Sequence, residues 1–211
     1  SARSLGFIRA LLVARDGRLW IGTEADGLAA YDPQSEKLSL FRSDANPQLP
    51  RSAVSAGTIR ALAEDRDGQL WIGTIGHGLD RYDPVEGRFQ HFRQADRAQG
   101  GLPDDRVQSL VVDGEGSLWV GTWKGLARKR AGSDRFEPVF STPGKPGLAN
   151  KIVLSLFLAP DGRVWAGTQQ GDLALVDPKT GEGTLLERAE EAVNGSVNTF
   201  VALDDRHLWL G

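Results

Sequence analysis

Asp67-Gly68-Gln69-Leu70-Trp71-Ile72-Gly73-Thr74 is the stretch that the rest of the chain repeats. It opens on Asp-Gly, a pair suited to the two positive-φ positions of a tight β-hairpin turn. A short run of strand-forming residues follows, centred on Trp71, and Gly73-Thr74 leads into a glycine-bearing loop. The same wording stands at Asp16 to Thr23, Glu115 to Thr122 and Asp161 to Thr168, and a fifth copy runs from Asp205 to Gly211. Its tryptophans, Trp20, Trp71, Trp119, Trp165 and Trp209, are spaced by 51, 48, 46 and 44 residues. This is a repeat protein.

Aligning the copies on tryptophan gives four β signals per unit. Strand A is apolar on both faces: Ile8 to Val13, Ile59 to Ala63, Val107 to Val112, Val153 to Leu158 and Val197 to Ala202. Ten residues before each tryptophan stands a small residue (Ala10, Ala61, Ser109, Ser155, Thr199), which allows neighbouring units to converge. Strand B carries the tryptophan. Strand C ends on the turn-forming Asp32-Pro33, Asp83-Pro84 and Asp177-Pro178, a signal missing from the third unit, and strand D carries Phe41, Phe92, Phe140 and Leu186. Four short antiparallel strands with one tryptophan per unit predict an all-β fold, the β-propeller. A sandwich has no reason to rewrite one phrase five times, and regular proline and glycine exclude a helical solenoid. The expectation is a single propeller region over residues 1–211, with blades at about 7–42, 58–93, 106–141 and 152–187 and a half blade at 196–211.

The 211 residues, 40% of them hydrophobic, suffice for a real core. A net charge of −3 with scattered Lys and Arg argues against a nucleic-acid surface. No apolar run reaches the ~20 residues of a membrane span. Cysteine is absent, which excludes disulfides and thiolate chemistry.

With the unit in view, the residues are similar to a known family. Val107, Leu110, Asp113, Gly116-Ser117-Leu118-Trp119-Val120-Gly121-Thr122 and Gly125-Leu126 resemble the two-component regulator propeller repeat, and the likeness covers nearly the whole chain. The resemblance implies a periplasmic or other extracytoplasmic sensor region of a bacterial signalling protein, joined to the membrane only through segments outside this chain. In better-known members such repeats make seven-bladed rings, so an open fragment is implied here. A streptogramin lyase propeller has the same general look.

Chemistry is harder to find. His77, His91 and His207 share no spacing and have no cysteine partner, so neither a metal site nor a triad is expected. The turn acids supply one carboxylate per hairpin, without the clustering calcium needs. No cofactor and no catalytic residue are expected. What remains is position, because loops on a rigid scaffold usually carry function. Eleven residues before each tryptophan stand Arg9, Arg60, Gln108, Leu154 and Asn198, four of them polar in apolar strands. They either form a polar ring at the channel mouth or are solvated strand ends. The B–C loops add His77, Trp123, Lys124 and Gln169. Trp123 is the one tryptophan out of register, either an anchor for a sugar or peptide or a residue packed on a neighbouring blade. The expected role is non-catalytic binding of a small polar ligand, carbohydrate or peptide, or of a partner protein. The alternatives are a lyase or hydrolase with His77 as its acid or base, and a protein-interaction scaffold. Four units and half a fifth predict an open array, with Ile8, Leu11 and Trp20 exposed at one end and Val197, Phe200 and Trp209 at the other, a surface for self-association.

Overall fold

A computed structural model describes residues 5–43, 53–95, 99–140, 147–186, 195–202 and 208–211. Asp205 to His207, the start of the fifth copy, lie outside the described residues. Strands β1 to β4 (Ile8–Val13, Leu19–Thr23, Leu28–Asp32, Lys37–Phe41) form one antiparallel sheet in sequence order. So do β5 to β8 (Ile59–Glu64, Leu70–Thr74, Leu79–Asp83, Arg88–Phe92). The third sheet is β9 to β12 (Val107–Val112, Leu118–Thr122, Gly125–Lys129, Phe136–Val139) and the fourth β13 to β16 (Val153–Leu158, Val164–Thr168, Leu173–Val176, Gly183–Leu186). A last hairpin pairs β17 (Phe200–Ala202) with β18 (Leu208–Leu210). Each sheet is a blade whose strands A to D follow chain order.

The chain divides into two compact units, Ser1–Arg93 with Asp105–Val107, and Gln94–Asp104 with Gln108–Gly211. The first holds two blades. Their shared core gathers Trp20, Leu28, Val54, Ile59, Leu70, Ile72, Tyr82 and Phe89, with Phe41 against it. Trp20 meets Tyr82 edge-on at 5.6 Å between ring centroids. In the second unit Trp119, Leu126, Leu148, Val153, Val164, Ala174 and Val176 form the equivalent cluster. Burying each indole contributes on the order of 2–3 kcal/mol or more.

The glycine of each Gly-Thr pair sets how closely blades approach. A methyl at Gly22 would stand 2.6 Å from Ile59 Cγ2, and one at Gly73 2.6 Å from Val107 Cγ1. In the second unit a methyl at Gly121 would meet Val153 at 2.9 Å and one at Gly167 would meet Val197 at 2.5 Å. No Cβ fits at such distances. The small residues ten before each tryptophan lie across the strand from these glycines: Ala10 pairs with Gly22, Ala61 with Gly73 and Ser155 with Gly167. Together they leave a hollow that the first residue of the next strand A fills. Ser155 adds a hydrogen bond from its hydroxyl to the Val197 carbonyl, at 2.7 Å.

Two expectations about the ends are corrected by this geometry. Trp20 is 3% exposed, and Val197 is fully buried. Trp20 faces the second blade and Trp119 the fourth, while Ile59 and Val153, the first residues of their strands A, face the blade before. Trp20 is therefore covered by the second blade, and Val197 is seated against Gly167. Ile8, Leu11 and Val13 are exposed, as is Trp209, at 66%.

The A–B turn also differs from the two-residue hairpin expected. Gly17, Gly68, Gly116 and Gly162 have φ between 77° and 85°, but the residue before each does not have positive φ. Gly68 N–H donates to the Asp65 carbonyl and Asp65 N–H to the Gln69 carbonyl, which makes a three-residue loop closed by a left-handed glycine. Asp65 locks this loop. Its Oδ1 accepts the N–H groups of Asp67 and Gln69, and its Oδ2 accepts Trp71 Nε1–H at 2.8 Å. Asp113 does the same for Glu115, Ser117 and Trp119. On the other side of each indole lies a guanidinium, Arg81 over Trp71 and Arg128 over Trp119. The first and fourth blades have Ala14 and Ala159 in place of the acid and Ala30 and Leu175 in place of the arginine, so acid and base are kept or dropped together.

In equilibrium denaturation, Trp71→Ala is expected to cost ~3–5 kcal/mol. Trp209→Ala is expected to stay within ~0.5 kcal/mol of the parent. Gly73→Ala, which forces a methyl onto Val107, is expected to cost ~1–3 kcal/mol.

Candidate functional site

Function in a blade is sought where strand B hands over to strand C and where the connector enters the next strand A. Each Gly-Thr pair builds this end. Thr23 and Thr74 donate their hydroxyls to the carbonyls of Gly27 and Gly78, both at 2.8 Å, and Thr122 donates to Gly125 at 2.9 Å. The fourth blade uses a side chain instead, with Thr168 Oγ1 3.1 Å from Asp172 Oδ2. Connectors are tied to these loops: Gly27 N–H donates to the Gly57 carbonyl, and the N–H groups of Gly76 and Gly78 both donate to Asp105. One aliphatic residue anchors each of the first three connectors, Val54, Leu102 or Leu148, all fully buried. The loops are short and stapled at both ends, so side chains at their tips are held by a rigid base.

Strand A carries a bulge at the polar position. Pairing jumps from Ile8 opposite Thr23 to Ala10 opposite Gly22, and from Ile59 opposite Thr74 to Ala61 opposite Gly73. Arg9 and Arg60 are the extra residues, and in the fourth blade Leu154 is. A bulge re-aims its extra side chain, which explains a polar residue in an apolar strand. In the first unit Arg9 is exposed and its guanidinium meets Glu24 Oε2 at 2.7 Å. Arg60 is exposed. His77 is exposed on the B–C loop of the second blade, and its carbonyl accepts the Ser55 hydroxyl at 3.2 Å.

In the second unit Thr122 pairs with Gly125, so Trp123 and Lys124 are the two residues of a minimal turn. Trp123 is 37% exposed. Lys124 Nζ lies 3.4 Å from Asp104 Oδ2, a carboxylate that is nearly fully buried. Gln108 is half-buried. Gln169 is exposed and its N–H donates to the Ile152 carbonyl. Asn198 is exposed, with Nδ2 donating to Ser196 Oγ at 2.9 Å. Beside Gln169, Lys151 Nζ meets Asp172 Oδ2 at 2.6 Å, a pair the sequence reading did not single out. Among the described residues no group of three or more His, Asp and Glu could hold a metal ion.

The second blade contains a polar cluster that was also missed. Asp80 is fully buried. It accepts the Ser55 N–H at 2.7 Å and lies 2.7 Å from His91 Nδ1, with Arg93 Nη1 at 3.7 Å. The carboxylate therefore draws the His91 proton to Nδ1. His91 Nε2 is buried and has no hydrogen-bond partner among the described residues. The aligned pairs in the first and fourth blades are Ala29 with Leu40 and Ala174 with Leu185. That contrast, an acid and a histidine where the first and fourth units have alanine and leucine and the third Ala127 and Pro138, was the available signal. Asp80 pins the incoming connector through Ser55, so the pair is structural. Asp80→Ala is expected to cost about 3 kcal/mol, because it leaves a buried histidine and an arginine without their acceptor. Asp80→Ala combined with His91→Leu should cost about 1 kcal/mol less than the single change, measured by denaturant unfolding of both variants.

Four-stranded up-and-down blades, stacked through a tryptophan and a glycine hollow, define a β-propeller repeat protein. The family model described as two component regulator propeller matches residues 3–25, 53–76, 101–124 and 147–170, which are strands A and B of the four blades with their flanking turns. Four segments of the chain therefore read as repeats of this kind. It is 34% identical over 111 residues, 53% of its length, to histidine kinase P4 of Formosa agariphila, of which those residues make up 8%. The extracellular domain of a hybrid two-component system of B. thetaiotaomicron superimposes with a TM-score of 0.79 at 17% identity, covering 99% of this chain and 28% of that one. That of a one-component system of the same organism gives 0.63 at 21%, covering 100% and 31%. Virginiamycin B lyase from Staphylococcus aureus gives 0.73 at 14% identity, covering 97% and 62%. The chain thus spans less than a third of the two sensor domains, and at these identities the structural likeness speaks to fold alone. Among the described residues no helix is long and apolar enough to cross a membrane.

Proposed function

We propose that this chain is part of the extracytoplasmic sensor region of a bacterial signalling protein, and that it binds a small polar ligand or a partner protein without catalysing a reaction. The observation that carries the reading is the two-component regulator propeller match in four units, on blades whose repeated framework ends in non-identical loops. The framework residues are spent on packing. The variable ones, Arg60 and His77 in the first unit and Trp123, Lys124 and Gln169 in the second, stand at the loop ends. Arginine, amide and indole groups recognise carbohydrate or peptide by hydrogen bonding and ring stacking. Non-catalytic action is supported by the surroundings of His77, whose one hydrogen bond described above is made by its main chain. An acid or base would need an orienting partner on the ring.

The test is binding by calorimetry, first against pools of oligosaccharides and peptides and then against the active component. Arg60→Ala, for a ligand held by the first unit, or Trp123→Ala, for one held by the second, is expected to weaken binding by about tenfold, in line with losing one charged hydrogen bond or one stacked ring, with melting temperature retained. Unchanged affinity in both variants would move the site elsewhere. A lyase or hydrolase activity lost in His77→Ala would overturn the non-catalytic reading.

A further inference from the structure

Away from the loop ends, the second blade carries an open groove of about 560 Å³ along its outer margin. Gln69, Arg81, Asp83, Glu86, Arg88 and Gln90 line it. Phe89 and His91 complete its wall. Strand alternation turns their side chains to the opposite face, where Phe89 joins the core and His91 meets Asp80, so they give the groove main chain. That main chain is an edge. β8 is last in its sheet and pairs with β7 alone, so every second N–H and C=O points outward.

The side chains above this edge differ in what they have left to offer. Asp83 is committed: Oδ1 accepts the N–H groups of Val85 and Glu86, and Oδ2 accepts Gln69 Nε2. Gln90 Oε1 accepts from Arg81 Nη2, which presents the Gln90 amide N–H₂ outward. Arg81 lies over the Trp71 ring at 5.5 Å and the Phe92 ring at 5.8 Å, so its guanidinium is held in place before any ligand arrives. Arg88 meets Glu86 at 3.6 Å with both side chains about 60% exposed, a loose surface pair that a better acceptor displaces. Arg88 and Gln90 stand two apart on β8 and so share one face. The groove combines an open strand edge with cationic and amide donors on one side of it.

We propose that this groove binds an extended peptide with acidic side chains at alternate positions, added as a fifth strand on β8. Main-chain pairing supplies the attachment and the carboxylates, two residues apart, meet Arg88 and the Gln90 amide that Arg81 holds in place. The site is separate from the loop ends invoked above and does not depend on them.

The test uses the 211-residue chain and fluorescence anisotropy with a labelled heptapeptide of alternating Glu and Val. Its Lys-Val counterpart, two versions N-methylated on one or the other edge, and unlabelled digalacturonic acid as competitor complete the set. The Glu-Val peptide is expected to bind, the Lys-Val peptide to fail, and one of the two N-methylated peptides to lose binding while the other keeps it. Arg88→Glu should weaken binding at least tenfold with an unchanged melting temperature, and Trp123→Ala should leave it unaltered. No binding of the Glu-Val peptide, or equal binding of both methylated forms, overturns the strand-addition proposal. Digalacturonic acid displacing the peptide at equal concentration would replace it with a carboxylate site indifferent to main chain.

Discussion

Everything in this molecule follows from a missing Cβ. Where one blade meets the next, the glycine before the repeated threonine leaves a hollow opposite an alanine or serine, and an isoleucine or valine of the following blade fills it. The methyls arrive so close that any side chain on the concave side forces the packing to shift. This contact fixes the distance between blades, and that distance lets the tryptophan of the same strand be covered. Hydrophobic burial supplies the energy, but the glycine decides whether the energy is available.

The contact also has a direction. Tryptophan and glycine look forward along the chain, and the β-branched residue at the head of strand A looks back. Most of the fold was legible because this arrangement is written once per unit: Trp71, Gly73 and Ala61 recur in register, and the strand count and order follow from their spacing. The exposed surfaces at the two ends were misjudged because spacing carries no direction. Trp20 and Val197 are buried for opposite reasons, and only the stacking tells them apart. The hairpin type was missed for a related reason. Asp-Gly fits either a two-residue turn or the third position of a longer one, and the hydrogen bonds of Asp65 and Gly68 decide.

The candidate site was less legible than the fold. Sequence picked out Arg9 and Arg60 as polar residues in apolar strands, and the strand-A bulges give that pattern a mechanical cause. It did not show that Arg9 is held by Glu24 or Lys124 by Asp104, since pairs across loops leave no periodic trace. The Asp80–His91 pair stands in one unit only and so leaves no trace in the repeat. Identity between units reports packing, and difference reports what each blade does alone. The second blade does so at its outer strands, where a buried acid and a histidine stand in place of the alanine and leucine of the first and fourth blades.

The directional contact separates the unit of sequence from the unit of stability. A written repeat begins at strand A and ends after strand D, but its cohesive interface joins the tryptophan of one repeat to strand A of the next. Genetic duplication of one repeat copies both halves of the joint, a forward socket and a backward plug, and inserts into an existing array without altering either neighbour. Divergence in the loops or on the outer margin leaves the joint untouched. A chain built this way can gain a blade and a new recognition surface in a single event, with the structural problem already solved.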